Sequence, residues 1–191
     1  KLADALKADL VVDGHPGYVS GDRLYAEGLP LYTWYIRRYA GLSEEGKSMW
    51  YYTDNDGNLQ KTDVYGNATY YNCGSPHPDL YGGFGTTLSA YGFDLSVSFS
   101  YSLGGKAYDF GYASLMGVPI GTSGGCAIHR DALNAWSADN PTSDIPRWQY
   151  NDPNTVSTSD RFLVSGSYLT LQSINFGYTL PDKWIQRIGL S

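Results

Sequence analysis

The chain has 191 residues, of which only 17% are charged, against about 25% in ordinary soluble domains. It carries 23 Gly and 18 Tyr, and its 15% aromatic content excludes a disordered chain, while the shortage of Ala, Glu, Lys and Leu excludes a helical bundle. A net charge of −6 has the wrong sign for a general nucleic-acid binder.

The first predicted element spans residues 31–40. Tyr32, Trp34 and Ile36 alternate there with Thr33, Tyr35 and Arg37, the period of a strand. A long connection, 41–78, follows. Within it Trp50-Tyr51-Tyr52-Thr53 and then Asp54-Asn55-Asp56-Gly57 predict a small hairpin with an Asp-Gly turn. Asp54, Asp56, Gly57 and Asp63 also fall at four positions of a calcium loop. The first position would be Tyr52, so the plain turn is the better reading. Asn67-Ala68-Thr69 forms a glycosylation sequon, read as an accident of composition.

A weaker alternation at 80–89 places Leu80, Phe84 and Leu88 on one face. A tight turn at Ala90-Tyr91-Gly92 leads into the clearest element of the chain, 93–103. There Phe93, Leu95, Val97, Phe99, Tyr101 and Leu103 share one face, and Asp94 with four serines shares the other. Eleven residues of strict alternation match the roughly 9–11 that a tilted strand needs to cross a bilayer. A soluble strand is usually nearer 5–6 residues.

The second long connection, 104–167, holds a predicted short helix over His129–Trp136, ending before Pro141. The last strand, 168–180, shows Ile174, Phe176, Tyr178 and Leu180 opposite Ser173, Asn175, Gly177 and Thr179. Leu169 and Leu171 break its phase, as a β-bulge or an exit from the membrane would require. A three-residue turn on one side and two long loops on the other form the pattern of outer-membrane barrels. No run approaches the roughly 20 apolar residues of a spanning helix. The chain opens at Lys1 without a start methionine or leader and stops at Ser191 without a cap, so it reads as a piece of something larger.

The block Asp79–Gly105 resembles the late barrel strands of SusC/RagA-type TonB-dependent transporters of Bacteroidetes outer membranes. Three further blocks agree in order. They are Glu27–Tyr35 with Tyr39-Ala40-Gly41; Ala135-Trp136 with Asn140 and Asp144–Arg147; and Ser159–Leu163 with Tyr168–Pro181. The resemblance covers most of 27–191. It implies an all-β fold, about four strands (near 31–40, 80–89, 93–103 and 168–180) of a 22-stranded transmembrane antiparallel β-barrel, with extracellular loops near 41–78 and 104–167. It also implies TonB-dependent import of oligosaccharides, or of peptides, across the outer membrane, under a SusD-like surface lipoprotein. Energy would come from the TonB complex through an amino-terminal plug and TonB box. Those parts, the signal peptide and the final strands are missing here.

Neither a catalytic constellation nor a cofactor motif stands out, and the expectation is a non-enzyme. His15, His77 and His129 are scattered, and no Gly-x-Ser-x-Gly elbow or P-loop occurs. Trp50, Trp136, Trp148 and Tyr150 are candidate loop contacts to cargo or lid; the alternative is that they pack the loops together. Arg147 is expected to brace its loop rather than touch cargo. Cys73 and Cys126, one on each long loop, are a possible disulfide or two free thiols. Phe93, Leu95, Val97, Phe99 and Tyr101 are expected to face lipid, with Ser96, Ser98 and Ser100 toward the lumen. The rival is a soluble Tyr/Trp-rich β-sandwich that binds carbohydrate, which would bury Leu95, Val97 and Phe99 against a second sheet. A β-rich glycoside hydrolase is disfavoured because no paired carboxylates stand out.

Overall fold

A computed structural model describes residues 10–118, 127–150 and 152–181. The chain divides into two units. Unit 1 comprises Lys1–Pro76 with Lys106–Val164, and unit 2 comprises His77–Gly105 with Ser165–Ser191.

Unit 2 is built from three long strands, β9 (Pro78–Ala90), β10 (Phe93–Gly104) and β13 (Tyr168–Tyr178), in the order β13-β10-β9 and all antiparallel. Their bounds lie close to the predicted 80–89, 93–103 and 168–180. At about 3.3 Å per residue the 12 residues of β10 extend roughly 40 Å. Tilted by about 45°, that length covers a hydrocarbon core of about 30 Å. Ala90 pairs with Phe93, so the turn is the two residues Tyr91-Gly92, with φ of 53° and 85°. Two positive φ angles define a type I′ turn, whose twist suits the flanking strands. The Tyr91 side chain is 98% exposed at its tip.

Unit 1 contains a five-stranded sheet of β1 (Val11–Val12), β2 (His15–Ser20), β3 (Arg23–Ala26), β4 (Thr33–Arg37) and β8 (Tyr70–Gly74), in that order. A second sheet is a meander of β5 (Tyr39–Leu42), β6 (Ser48–Thr53) and β7 (Leu59–Thr62). Short β11 (Lys106–Tyr108) pairs with β12 (Leu163–Ser165), and the helix α1 (Phe110–Leu115) is capped by the Asp109 carboxylate on Tyr112 N–H. The predicted helix at His129–Trp136 is a 3-10 helix over Arg130–Asn134.

The 31–40 segment departs from its expected place in the barrel wall. It breaks at Arg38 into β4 and β5, and its partners are β3, β8 and β6. Trp34 and Ile36 go into the protein core with Cys73, Tyr71, Tyr108 and Leu163 instead of facing outward. Trp34 donates its indole N–H to Lys106 O at 2.9 Å, and the Arg23 guanidinium lies 3.2 Å over its ring.

The two long connections are also more ordered than loops. Arg37 bridges to Ser159, Tyr39 N–H donates to Asp160 Oδ1 at 2.7 Å, and Tyr65 Oη donates to Thr158 O at 2.8 Å. Buried Thr155, Ser159 and Phe162 thread this stretch through unit 1. The predicted hairpin at 50–57 is β6–β7. Asp54 Oδ1 accepts from Asp56 N–H and Asn58 N–H, so the carboxylate is spent on the turn itself.

Candidate functional site

The sheet of unit 2 has two chemically opposite faces. Across its strands the register aligns Leu88, Leu95 and Phe176 in one row, Thr86, Val97 and Ile174 in the next, then Phe84, Phe99 and Leu171. Phe93 stacks with Phe176 at 5.7 Å and meets Tyr178 at 4.4 Å; Phe84 stacks on Phe99 at 5.1 Å. Gly82 lies opposite Tyr101, whose hydroxyl comes within 3.0 Å and ring within 3.2 Å of where a Cβ would stand, so the aromatic covers the gap left by the glycine.

An irregularity on β13, one of two in the described sheet, keeps this face continuous. Ser98 pairs with Ser173, but the next residue, Phe99, pairs with Leu171, leaving Gln172 as the extra residue of a β-bulge. The bulge returns Leu171 and Leu169 to the apolar face. It is the feature that the broken phase at 168–171 required.

The opposite face is a ladder of small polar groups. Ser89 Oγ donates to Asp94 Oδ1 at 2.6 Å, Thr87 Oγ1 to Ser96 Oγ at 3.3 Å, and the Ser98 and Ser173 hydroxyls share a hydrogen bond at 2.9 Å. The bulged Gln172 donates to Ser100 Oγ at 2.6 Å. Polar groups paired in this way can face a wet lumen, while the other face is dominated by aliphatic side chains and rings, with Thr86 its one aliphatic hydroxyl in the rows given.

Neither face has the burial of a soluble core. Every residue of β13 is exposed, as is nearly every residue of β9, with Phe176 at 70%. Leu95, Val97 and Phe99 are half-covered by their neighbours within the sheet. The burial that a sandwich would give these three side chains is absent. Among the described residues β9 and β13 each pair on one side only, leaving two backbone edges open.

The loop aromatics separate by environment. Trp50 is 1% exposed, edge-on to Tyr65 at 5.1 Å, and is a core residue that ligand cannot reach. Half-buried Trp136 packs its ring where a Cβ on Gly46 would stand. Trp136 N–H also donates to Ile145 O at 2.8 Å, and Arg147 N–H to Gly46 O at 2.9 Å. Arg147 thus braces the β5–β6 turn, its guanidinium also reaching Glu45 O at 3.4 Å. Trp148 and Tyr150 present surface, at 43% and 68% exposure. Burial of Trp50 had no signal in the sequence, where it reads like the other loop tryptophans.

Cys73, the buried residue of β8, donates weakly to Ile36 O at 3.6 Å; burial first, then the Asp160 carboxylate, push its thiol up to about 11. Cys126 lies outside the described residues. Burial also raises Asp160, partly offset by the Tyr39 N–H, Arg38 and Lys106. Tyr35 is pushed up to about 12 by burial and by the Asp13 carboxylate that accepts its hydroxyl at 3.3 Å. Among the described residues no group of three acidic, His or Cys side chains could hold a metal.

No family model matches the chain. It is 28% identical, over 95% of its length, to TonB-dependent receptor P3 of Formosa agariphila, and 27% identical, over 92%, to TonB-dependent receptor P26 of the same organism. Among solved structures it resembles the RagAB peptide transporter, with a TM-score of 0.67 at 25% identity over 91% of this chain. The RagAB peptide importer in its "open-open" state gives 0.66 at 22% identity over 92%. The chain spans 18% of the two receptors and 19% of the matched transporter chains, less than a fifth of each. The likeness thus falls on one contiguous part of a TonB-dependent transporter barrel.

Proposed function

We propose, from the premise that this chain is a relative of the SusC/RagA-type TonB-dependent receptors of Bacteroidetes, that it forms barrel wall and outer loops of an outer-membrane active importer. One observation carries the reading: a three-stranded sheet, apolar on one face and hydrogen-bonded serines on the other, open at both edges. Open edges cannot persist in lipid, where every backbone group must be paired, so further strands must flank β9 and β13. The apolar face meets lipid and the serine face lines the lumen. Unit 1 is the extracellular part, because both its long segments leave the sheet at the end opposite the Tyr91-Gly92 turn.

Cargo is an oligosaccharide or a peptide. The sequence resemblance supports the first and the RagAB likeness the second. A SusD-like lipoprotein lid docks on unit 1, with Trp148 and Tyr150 as exposed aromatic contacts and Trp136 holding the loop that carries them. A Cys73–Cys126 disulfide would join the two long segments on this oxidising side. Energy reaches the barrel through the TonB complex, and the chain itself does no covalent chemistry.

Cell fractionation tests the reading. The protein should partition with the outer membrane and need detergent for extraction, and uptake by cells carrying it should stop when TonB is deleted. A stable monomer in plain buffer would overturn it.

A further inference from the structure

A recess on unit 1, about 730 Å³ in volume, is bounded by Asp13, Arg38, Tyr71, Cys73, Lys106 and Asp160. Its acceptors each hold a hydrogen bond, while neither of its cations is in an ion pair among the described residues. Asp160 Oδ1 accepts from Tyr39 N–H at 2.7 Å, Asp13 Oδ1 from Tyr35 Oη at 3.3 Å, and Asn72 Oδ1 from Gly74 N–H at 3.0 Å. Lys106 Nζ donates to the Cys73 carbonyl at 2.7 Å and forms no ion pair among the described residues. The side chain of Arg38, exposed between β4 and β5, makes no hydrogen bond or ion pair among them either; only its backbone carbonyl is engaged, by Tyr51 N–H at 3.0 Å. Its guanidinium instead lies 5.3 Å from the Tyr51 ring centre and 5.4 Å from that of Tyr71. Two rings thus hold a planar five-donor cation in place while leaving its N–H groups unused.

We infer that this recess is a binding site for an oxyanion, a carboxylate or a sulfate group on a larger molecule, received by Arg38 and Lys106. A planar fork and a point charge lining one recess suit two oxygens of one anion. Asp160 and Asp13 share the lining and oppose a bare anion, which limits affinity to the order of 1 mM for a small ion. The inference goes beyond the import reading, because binding is read on purified protein and uptake on cells; failure of one leaves the other standing.

The test is a calorimetric titration of the detergent-solubilised protein with sodium acetate and, separately, sodium sulfate, at constant ionic strength. A single saturable site is expected. Binding of acetate alone assigns a carboxylate, of sulfate alone a sulfate group, and of both the shared oxyanion chemistry. Arg38→Gln should weaken binding about tenfold or more, since a charge-assisted hydrogen bond is lost. It should leave the fold intact because the Arg38 side chain holds no hydrogen bond, and the backbone carbonyl that accepts from Tyr51 N–H is kept. Asp13→Asn should instead tighten binding by about two- to threefold, as a competing charge is removed. No saturable heat with either salt would overturn the inference. So would affinity unchanged in Arg38→Gln, or weakened in Asp13→Asn.

Discussion

Phe99 on β10 sits directly opposite Leu171 on β13, while its neighbour Ser98 sits opposite Ser173. The residue passed over, Gln172, turns its amide to Ser100 Oγ on the polar face. One extra residue therefore puts Leu169 and Leu171 on the same side as Ile174 and Phe176, although an unbroken strand would place them on opposite sides. Deleting Gln172 alone should leave Leu169 and Leu171 on the lipid side in unbroken alternation, whereas deleting Gln172 together with Ser173 should turn both toward the lumen and Thr170 toward lipid. The expected outcome is a large fall in the heat-modifiable folded band on gels for the double deletion, while the single deletion and Gln172→Ala should retain most of it.

The two faces should tolerate charge very differently. Phe99→Arg places a guanidinium on the lipid side, where charge near the midplane costs about 2–4 kcal/mol. Ser98→Arg places it in the lumen at little cost. Unfolding in guanidinium from detergent or vesicles should separate the two variants by that margin. Equal effects would contradict the assignment of faces.

How much of this was legible in the sequence depends on the range of the contacts. Period-2 alternation at 93–103 is local, and it identified β10 to within a residue. The broken phase of β13 was visible too, and its cause was narrowed to a bulge or a membrane exit. Unit 1 was not legible, because its order comes from pairs far apart in the chain. Arg37 meets Ser159, Tyr39 meets Asp160, and Trp50 meets Tyr65, which in turn reaches Thr158. The same alternation that suggested a membrane strand at 31–40 is equally what a half-buried strand shows when Trp34 and Ile36 enter a protein core. Of the loop aromatics, Trp50 and Trp148 look alike in sequence. Only the burial of one and exposure of the other separates packing from contact.

Gly46 and Gly57 offer a matched pair for stability. Both have positive φ, 75° and 83°, but a Cβ on Gly46 would strike the Trp136 ring, whereas one on Gly57 meets nothing within 4 Å. Gly57→Ala should cost about 1 kcal/mol from backbone conformation alone. Gly46→Ala adds the displacement of Trp136 and should cost about 2 kcal/mol more. It should also open the 136–147 segment to proteolysis, which limited digestion would detect as a new cleavage before global unfolding.

With Cys73 reduced, its thiol should make unit 1 sensitive to alkali. Its thiol is raised from 9.0 to about 11. Between those values the unfolded chain releases a proton that the native one keeps, so its contribution is complete below about pH 9 and is lost as pH rises toward 11. Cys73→Ala should flatten the stability profile over that window. In a Cys126→Ser background, alkylation of Cys73 at pH 8 should be far slower in native than in denatured protein.

The most direct test of the central claim is nitroxide scanning along β10 in reconstituted vesicles, with labels placed singly at 95 through 100. Labels at Leu95, Val97 and Phe99 should relax with lipid-soluble oxygen, and those at Ser96, Ser98 and Ser100 with a water-soluble nickel chelate, alternating residue by residue. Labels at Leu95, Val97 and Phe99 shielded from both reagents would instead place that face against protein and contradict the barrel-wall account.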